Sequence, residues 1–235
     1  MDNLPYDTTM RNSASTAAEV RGRVLRSRER FWRPEDFDGS PEAVTRALSR
    51  LERAGELRRM RRGLYWRGSS TRLGMAPPPS GRLAGEVVRG PGTGPAGWSA
   101  SLALGLSTQV GRREAVAVPG RPPLSPISVH FVSRAASTKR RVERLRPSEV
   151  ALLEVLRDWD RLVEVSTPEA VSRIGRFADE GEVRLDRLTR ASSSEPPRTR
   201  ERLRRLLKAL GRDDLVAAVP PARSPSVRDD RILAG

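Results

Sequence analysis

The stretch "RALSRLERAGELRRMRRGLYW", Arg46 to Trp66, decides how this chain is read, because it joins a basic helix to a basic hairpin through a single glycine. Val44, Ala47, Leu48 and Leu51 recur at spacings of three and four, so at about 100° per residue they share one face of a helix. Arg46, Arg50 and Arg53 fall on the opposite face, with the small hydroxyls of Thr45 and Ser49 beside them. Ser40 before Pro41 and Glu42 supplies a capping oxygen, a pre-set φ and a carboxylate near the positive end of the helix dipole. Gly55 stands where a left-handed C-cap is expected. "ELRRMRRGLYW" then reads as two short strands joined around Arg61-Arg62-Gly63.

Upstream, "STAAEVRGRVLRSRERF" places Ala17, Val20, Val24 and Leu25 at roughly helical spacing, with Ser15 or Thr16 as a cap. Pro34 suits the first turn of a short second helix, and Asp38-Gly39 reads as a turn. Residues 1–15 are polar and aperiodic, which predicts a disordered tail. Helix, short helix, capped basic helix and hairpin is the order of a winged helix-turn-helix, expected over residues 16–68. In that fold the third helix enters the major groove while the hairpin lies along the backbone. Arg58, Arg59, Arg61 and Arg62 then face phosphates, and their mutual repulsion is relieved on binding as counterions leave. Leu57, Met60, Leu64 and Tyr65 or Trp66 tie the hairpin to the core. The competing reading is a solvated helix whose charge Glu52 and Glu56 neutralise through neighbouring pairs, or a winged helix that binds protein.

Downstream, "GSSTRLGMAPPPSGR" predicts a linker over residues 69–80. Residues 81–216 have a different character. "GRLAGEVVRG" reads as a short helix, a small-residue helix spans about Ser99 to Leu106, and "REAVAVPG" and "PISVHFVSR" alternate like a pair of strands. From Arg146 the chain turns helical, with Val150, Leu153, Leu156 and Leu162 or Val163 on one side, Ser148 as a cap, a helix started at Thr167-Pro168-Glu169, and a basic amphipathic helix carrying Leu203, Leu206, Leu207 and Leu210. Residues 217–235 are expected as a disordered tail. The predicted class is α+β: an N-terminal winged helix-turn-helix, then a small α/β domain with a helical C-terminal extension.

Composition narrows the chemistry. The 235 residues hold 44 basic against 29 acidic side chains, a formal net charge of +15 that favours a polyanionic partner. Nearly all of it is arginine, whose planar fork suits phosphate and guanine. With no cysteine there is no disulfide, thiol nucleophile or cysteine-based metal site. His130 is the single histidine, in a strand-like pattern, so histidine triads and multi-histidine sites lack their parts. The N-terminus is unlike a signal peptide, and no apolar run approaches the roughly 20 residues of a membrane span. A cytoplasmic protein without a metal or cofactor is expected.

Three weaker patterns complete the inventory. "GTGPAG", Gly92 to Gly97, formally matches GxGxxG, but Pro95 removes an N–H and no acid follows about 20 residues later, so a flexible turn before a close-packed helix is the expectation. Arg200, Arg202, Arg204, Arg205 and Lys208, like "STKRRVERLR", do not form one stripe and read as solvated helix. Asp158, Asp160 and Glu164 could serve an enzyme as acid groups, yet alternate with Arg157 and Arg161 as surface ion pairs do.

"AVTRALSRLERAGELRRMRRGLYW", followed some thirty residues on by "GWSASLALGLSTQV", resembles the AbiEi-like antitoxin family of type IV toxin-antitoxin systems. The resemblance runs from about Phe31 to Leu210. Its most specific parts are Ala47-Leu48-Ser49-Arg50-Leu51, Gly55, Arg62-Gly63-Leu64-Tyr65 and Gly105-Leu106-Ser107-Thr108-Gln109. Gly111 stands where the family usually has proline. The resemblance implies an N-terminal winged helix that binds double-stranded DNA at its own operator and represses it, and a C-terminal domain that counters a cognate nucleotidyltransferase-like toxin. It implies no catalytic residue. The alternative is a stand-alone winged-helix regulator whose C-terminal domain binds an effector or a protein.

Overall fold

The computed structural model describes residues 6–72, 74–88, 90–122 and 129–222. Helix α1 (Tyr6–Arg26) leads into a short strand β1 (Arg30–Trp32) and a single 3-10 turn, Pro34–Asp36. Helix α2 (Pro41–Arg53) follows, then the hairpin strands β2 (Arg58–Arg61) and β3 (Leu64–Arg67). The apolar stripe of α2, Val44, Ala47, Leu48 and Leu51, is buried together with Val20 and Val24 of α1, which are fully inaccessible. Residues 6–15, expected as a disordered tail, are helical. Adding a residue to a nucleated helix costs far less than starting one, so the packed turns around Val20 carry the helix past where the apolar period ends. Residues 1–5 lie outside the described residues.

Strand β3 is the middle of a three-stranded antiparallel sheet, with β1 on one side and β2 on the other. Trp32 pairs with Tyr65 and Phe31 with Trp66. Because successive strand residues point to opposite faces, Trp32 and Tyr65 join the helical core while Phe31 and Trp66 meet on the other side, ring centroids 4.6 Å apart. The aromatic residues of the hairpin thus serve both faces. Strand β1 is the element the sequence hides: three residues are too few to show a period of two.

That second face is covered by the segment expected as a linker. Residues 69–80 do not run free: β4 (Ser70–Thr71) and β5 (Gly74–Met75) form a small antiparallel ladder, and the Trp66 indole N–H donates to the Ala76 carbonyl at 2.8 Å. Gly68 is buried there, and a Cβ on it would clash with the Ala76 carbonyl oxygen and lie 2.5 Å from the Trp66 indole nitrogen, so no side chain fits. The glycines and prolines permit a chain reversal that caps a tryptophan. By its internal contacts the chain divides into Met1–Pro79 and Ser80–Gly235.

The second unit begins with α3 (Ser80–Val87), β6 (Gly94–Ala96), α4 (Trp98–Ala103), β7 (Glu114–Val118) and β8 (Val129–Ser133). Its sheet order is β6-β7-β8, with β6 antiparallel and β8 parallel to β7. "GTGPAG" is therefore partly a strand. A Cβ on Gly94 would sit 2.6 Å from the Pro147 carbonyl, and one on Gly92 2.8 Å from the backbone at Arg140 and Arg141, so both glycines are required for close packing. The helical part comprises α5 (Lys139–Val142), α6 (Pro147–Arg157), α7 (Trp159–Leu162), α8 (Thr167–Asp179), α9 (Leu185–Ala191), α10 (Pro197–Ala209) and α11 (Asp213–Val216).

Helix α6 is the axis of this unit. From Glu149 to Leu156 every residue is buried, so the one-sided stripe expected here is a helix enclosed on all sides. Its N-cap is Arg146, and Ser148 instead donates to the Glu182 carbonyl at 2.6 Å. Helix α8 starts at Thr167 as expected, with Ser166 before it as the cap, its hydroxyl accepting from the Glu169 N–H. Residues 217–222, expected as part of a disordered tail, are placed against the helices: Val219 is fully buried, and Arg204 donates to the Val216 and Val219 carbonyls at 2.9 Å. Residues 223–235 lie outside the described residues. The described chain is thus mixed helix and strand, class α+β, and none of its helices is long and apolar enough to cross a membrane.

Candidate nucleic-acid interface

Both ends of α2 are closed by local chemistry. Ser40 Oγ accepts the Ala43 N–H at 3.2 Å, with Pro41 opening the helix and Glu42 in its first turn. At the other end Gly55 adopts φ +74°, the Glu56 N–H donates to the Leu51 carbonyl at 2.9 Å and the Gly55 N–H to the Glu52 carbonyl at 3.0 Å. That pair of bonds ends the helix sharply and turns the chain into β2.

On the outer face of α2, Thr45, Arg46, Arg50 and Arg53 are exposed and Ser49 is half-buried. No guanidinium group of these arginines, or of Arg58, Arg59, Arg61 and Arg62 of the hairpin, all exposed, has an ion-pair or hydrogen-bond partner among the described residues. The neighbouring acids leave them unneutralised. Glu56 pairs with Arg67 at 3.0 Å, and Glu52 makes no ion pair among the described residues. Arg46 and Arg50 are one turn apart, a spacing at which like charges repel by a few tenths of a kcal/mol (~0.2–0.5) in water. The local surface is therefore poised to bind an anion without first breaking a bond.

The hairpin arginines do not form one row. Arg58 stands opposite Trp66 and Arg59 opposite Tyr65, so they project to opposite faces of the sheet, and the register slips between Arg59 and Arg61. Gly63, at φ +71° with open space around it, lets Arg61 and Arg62 stand at the tip. Arg21, Arg26 and Arg28 are also exposed and unpaired among the described residues. Sequence reasoning passed over them because a scattered charge in or after a helix carries no pattern.

The arginines of the second unit are in a different state. Arg140 is wholly buried, donating to Glu195 at 2.6 and 2.8 Å and to Glu154 at 2.7 Å, while Arg134 closes on Glu154 at 2.7 and 2.8 Å. Arg202, buried on α10, donates to the Leu156 and Arg157 carbonyls and to Asp160. "STKRRVERLR" and the last basic helix, expected as solvated, thus place key arginines in the interior. Burial disfavours the Glu154 charge, but hydrogen bonds from Arg134 and the fields of Arg140 and Arg134 more than offset it and hold the carboxyl below its ordinary range. Glu149 is held low in the same way, against burial, by Arg184 and the Arg146 N–H.

The acids of "RDWDRLVE" are occupied. Asp158 pairs with Arg161, Asp160 with Arg198 and Arg202, and Glu164 accepts from Ser107 Oγ at 2.7 Å and the Thr108 N–H at 3.1 Å. His130 is exposed on β8. Among the described residues no group of three or more His, Asp or Glu side chains is placed to hold a metal ion.

No protein-family model matches the chain, and no curated protein matches it. Among solved structures, the RV2827C protein from Mycobacterium tuberculosis, known as a crystal structure, is similar: 20% identical, with 91% of this chain and 83% of that chain covered and a TM-score of 0.46.

Proposed function

We propose that Met1–Pro79 is a winged helix-turn-helix unit that binds double-stranded DNA, with α2 in the major groove and the β2–β3 hairpin as its wing. One observation carries this reading: Arg46, Arg50 and Arg53 on α2 and Arg58, Arg59, Arg61 and Arg62 on the hairpin are exposed without an anionic partner among the described residues, whereas Arg134, Arg140, Arg184 and Arg202 of the second unit are all matched to carboxylates. The short 3-10 turn occupies the place of the second helix of that motif. Thr45, Arg46, Ser49, Arg50 and Arg53 read base edges and flanking phosphates, because a guanidinium fork can donate two bonds to guanine. The hairpin arginines hold the backbone.

The role we attach to this binding is repression of the chain's own operon, with Ser80–Gly235 countering a nucleotidyltransferase-like toxin in the cytoplasm; its support is the sequence resemblance to AbiEi-like antitoxins. A stand-alone regulator with an effector-binding or protein-binding second unit is the other reading. Anisotropy titration of the full chain on its own upstream DNA and on random duplex tests the binding. Preference for the upstream fragment, with log K falling linearly in log salt, supports it; equal, salt-insensitive affinities refute it. Co-expression with an adjacent nucleotidyltransferase frame tests the antitoxin role, since growth must be restored by this chain.

A further inference from the structure

The second unit carries one feature that neither DNA binding nor core packing uses. Large apolar side chains that stand exposed among the described residues are Leu102, Val110 and Val142, and the first two line the same groove. The groove has a volume of about 500 Å³ and is bordered by Leu102 and Ala103 of α4 and by Val110, Arg112, Arg113 and Glu114 on the approach to β7. Val110 is 79% exposed, yet it is not on a loose loop. Immediately before it, Leu106 is fully buried, Ser107 Oγ donates to Glu164, the Thr108 N–H donates to the same carboxylate, and the Gln109 N–H donates to Ser107 Oγ at 2.9 Å. The Glu164 N–H returns a bond to the Leu106 carbonyl at 3.0 Å. The "GLSTQV" motif is thus a brace that holds an apolar side chain out in water.

Two exposed aliphatic side chains facing one groove from a braced backbone offer a seat for an apolar side chain, and the charges say what kind of segment carries it. Arg112 and Arg113 are exposed with no partner among the described residues, against the single half-buried acid Glu114, so the groove is net positive. Among the described residues none that lines it is aromatic, so these residues supply no stacking platform of the kind single-stranded nucleic acid uses. A two-fold contact centred on this groove would gather four guanidinium groups, Arg112 and Arg113 of each copy, against two Glu114 carboxylates. We propose that this groove receives a short acidic segment of a partner protein, an aliphatic side chain seated between Leu102 and Val110 and carboxylates paired with Arg112 and Arg113.

The proposal goes beyond the DNA-binding reading and does not depend on it. The test pans random peptides displayed on phage against the immobilised full chain, with an unrelated basic protein as control, and then measures the selected peptides by anisotropy. Enrichment of Asp or Glu within a few residues of Leu, Ile or Val is expected. Val110→Asp and the pair Arg112→Glu with Arg113→Glu should each weaken the selected peptide at least tenfold, with melting curves unchanged because these side chains are exposed. Arg50→Ala should leave peptide binding untouched, which separates failure here from failure at the DNA site. No enrichment over the control, peptides without acidic residues, or affinities indifferent to both variants would overturn the proposal. So would uridine oligonucleotide binding that these variants abolish, or a dimer in sedimentation that Val110→Asp dissociates.

Discussion

Arg50 and Arg62 illustrate how one residue type takes two roles from its setting. Arg50 lies mid-helix on the outer face of α2 and Arg62 at the hairpin tip; in the proposed DNA complex the first would reach base edges and the second phosphate alone. Arg50→Ala should cost about 1–3 kcal/mol on operator DNA and relax sequence preference, whereas Arg62→Ala should weaken all duplexes alike and reduce the salt slope by about one. Parallel titrations on operator and random fragments at two salt concentrations decide it, and equal losses for Arg50→Ala on both fragments would remove base reading. Arg140 is a third case. Its guanidinium is enclosed by Glu154 and Glu195; Arg134 still holds Glu154 when Arg140 is lost, but buried Glu195 keeps only Arg157 at 3.9 Å, so Arg140→Met should cost about 3–5 kcal/mol in urea unfolding of the full chain.

Among the elements, two glycines of different function separate backbone geometry from packing. Gly55 closes α2 at φ +74° with nothing within 4 Å of a notional Cβ, so Gly55→Ala should cost only the left-handed backbone term, about 1–2 kcal/mol, and Gly55→Asn less. Gly94 of β6 has no room for a Cβ against the Pro147 carbonyl, so alanine and asparagine should both cost on the order of 3 kcal/mol. Rescue of Gly94 by asparagine in thermal melts would show that the clash is not the cause. The same contrast explains what was legible. Helix α2 declares itself through a three-four period, a serine cap and a terminal glycine, all encoded within its own residues. Strands β1 and β6, three residues each, exist because β3 and β7 offer them hydrogen bonds, and that information lies elsewhere in the chain.

Across the whole molecule, arginines fall into two states: unpaired on α2 and the hairpin and at Arg112 and Arg113, clamped by carboxylates at Arg134, Arg140, Arg184 and Arg202. Glu149 and Glu154 titrate lower folded than unfolded, so their stabilisation is complete above the unfolded value of about 4.3 and is lost as pH falls through the folded one. The urea midpoint should hold from pH 7 to about 5 and drop below about 4, and Glu154→Gln should flatten that drop; an unchanged acid slope in the variant would contradict the assignment. The sequence by itself determined the helices with clear periods, the hairpin, the class α+β and the candidate arginines, since periodicity, caps and turn residues act over a few positions. Tertiary structure alone decided that the glycine-proline stretch folds back over Trp66, that α6 is buried on every side, and which arginines are free and which are locked. A guanidinium looks the same in a sequence whether it faces water or a carboxylate, and only the packing of distant segments distinguishes the two.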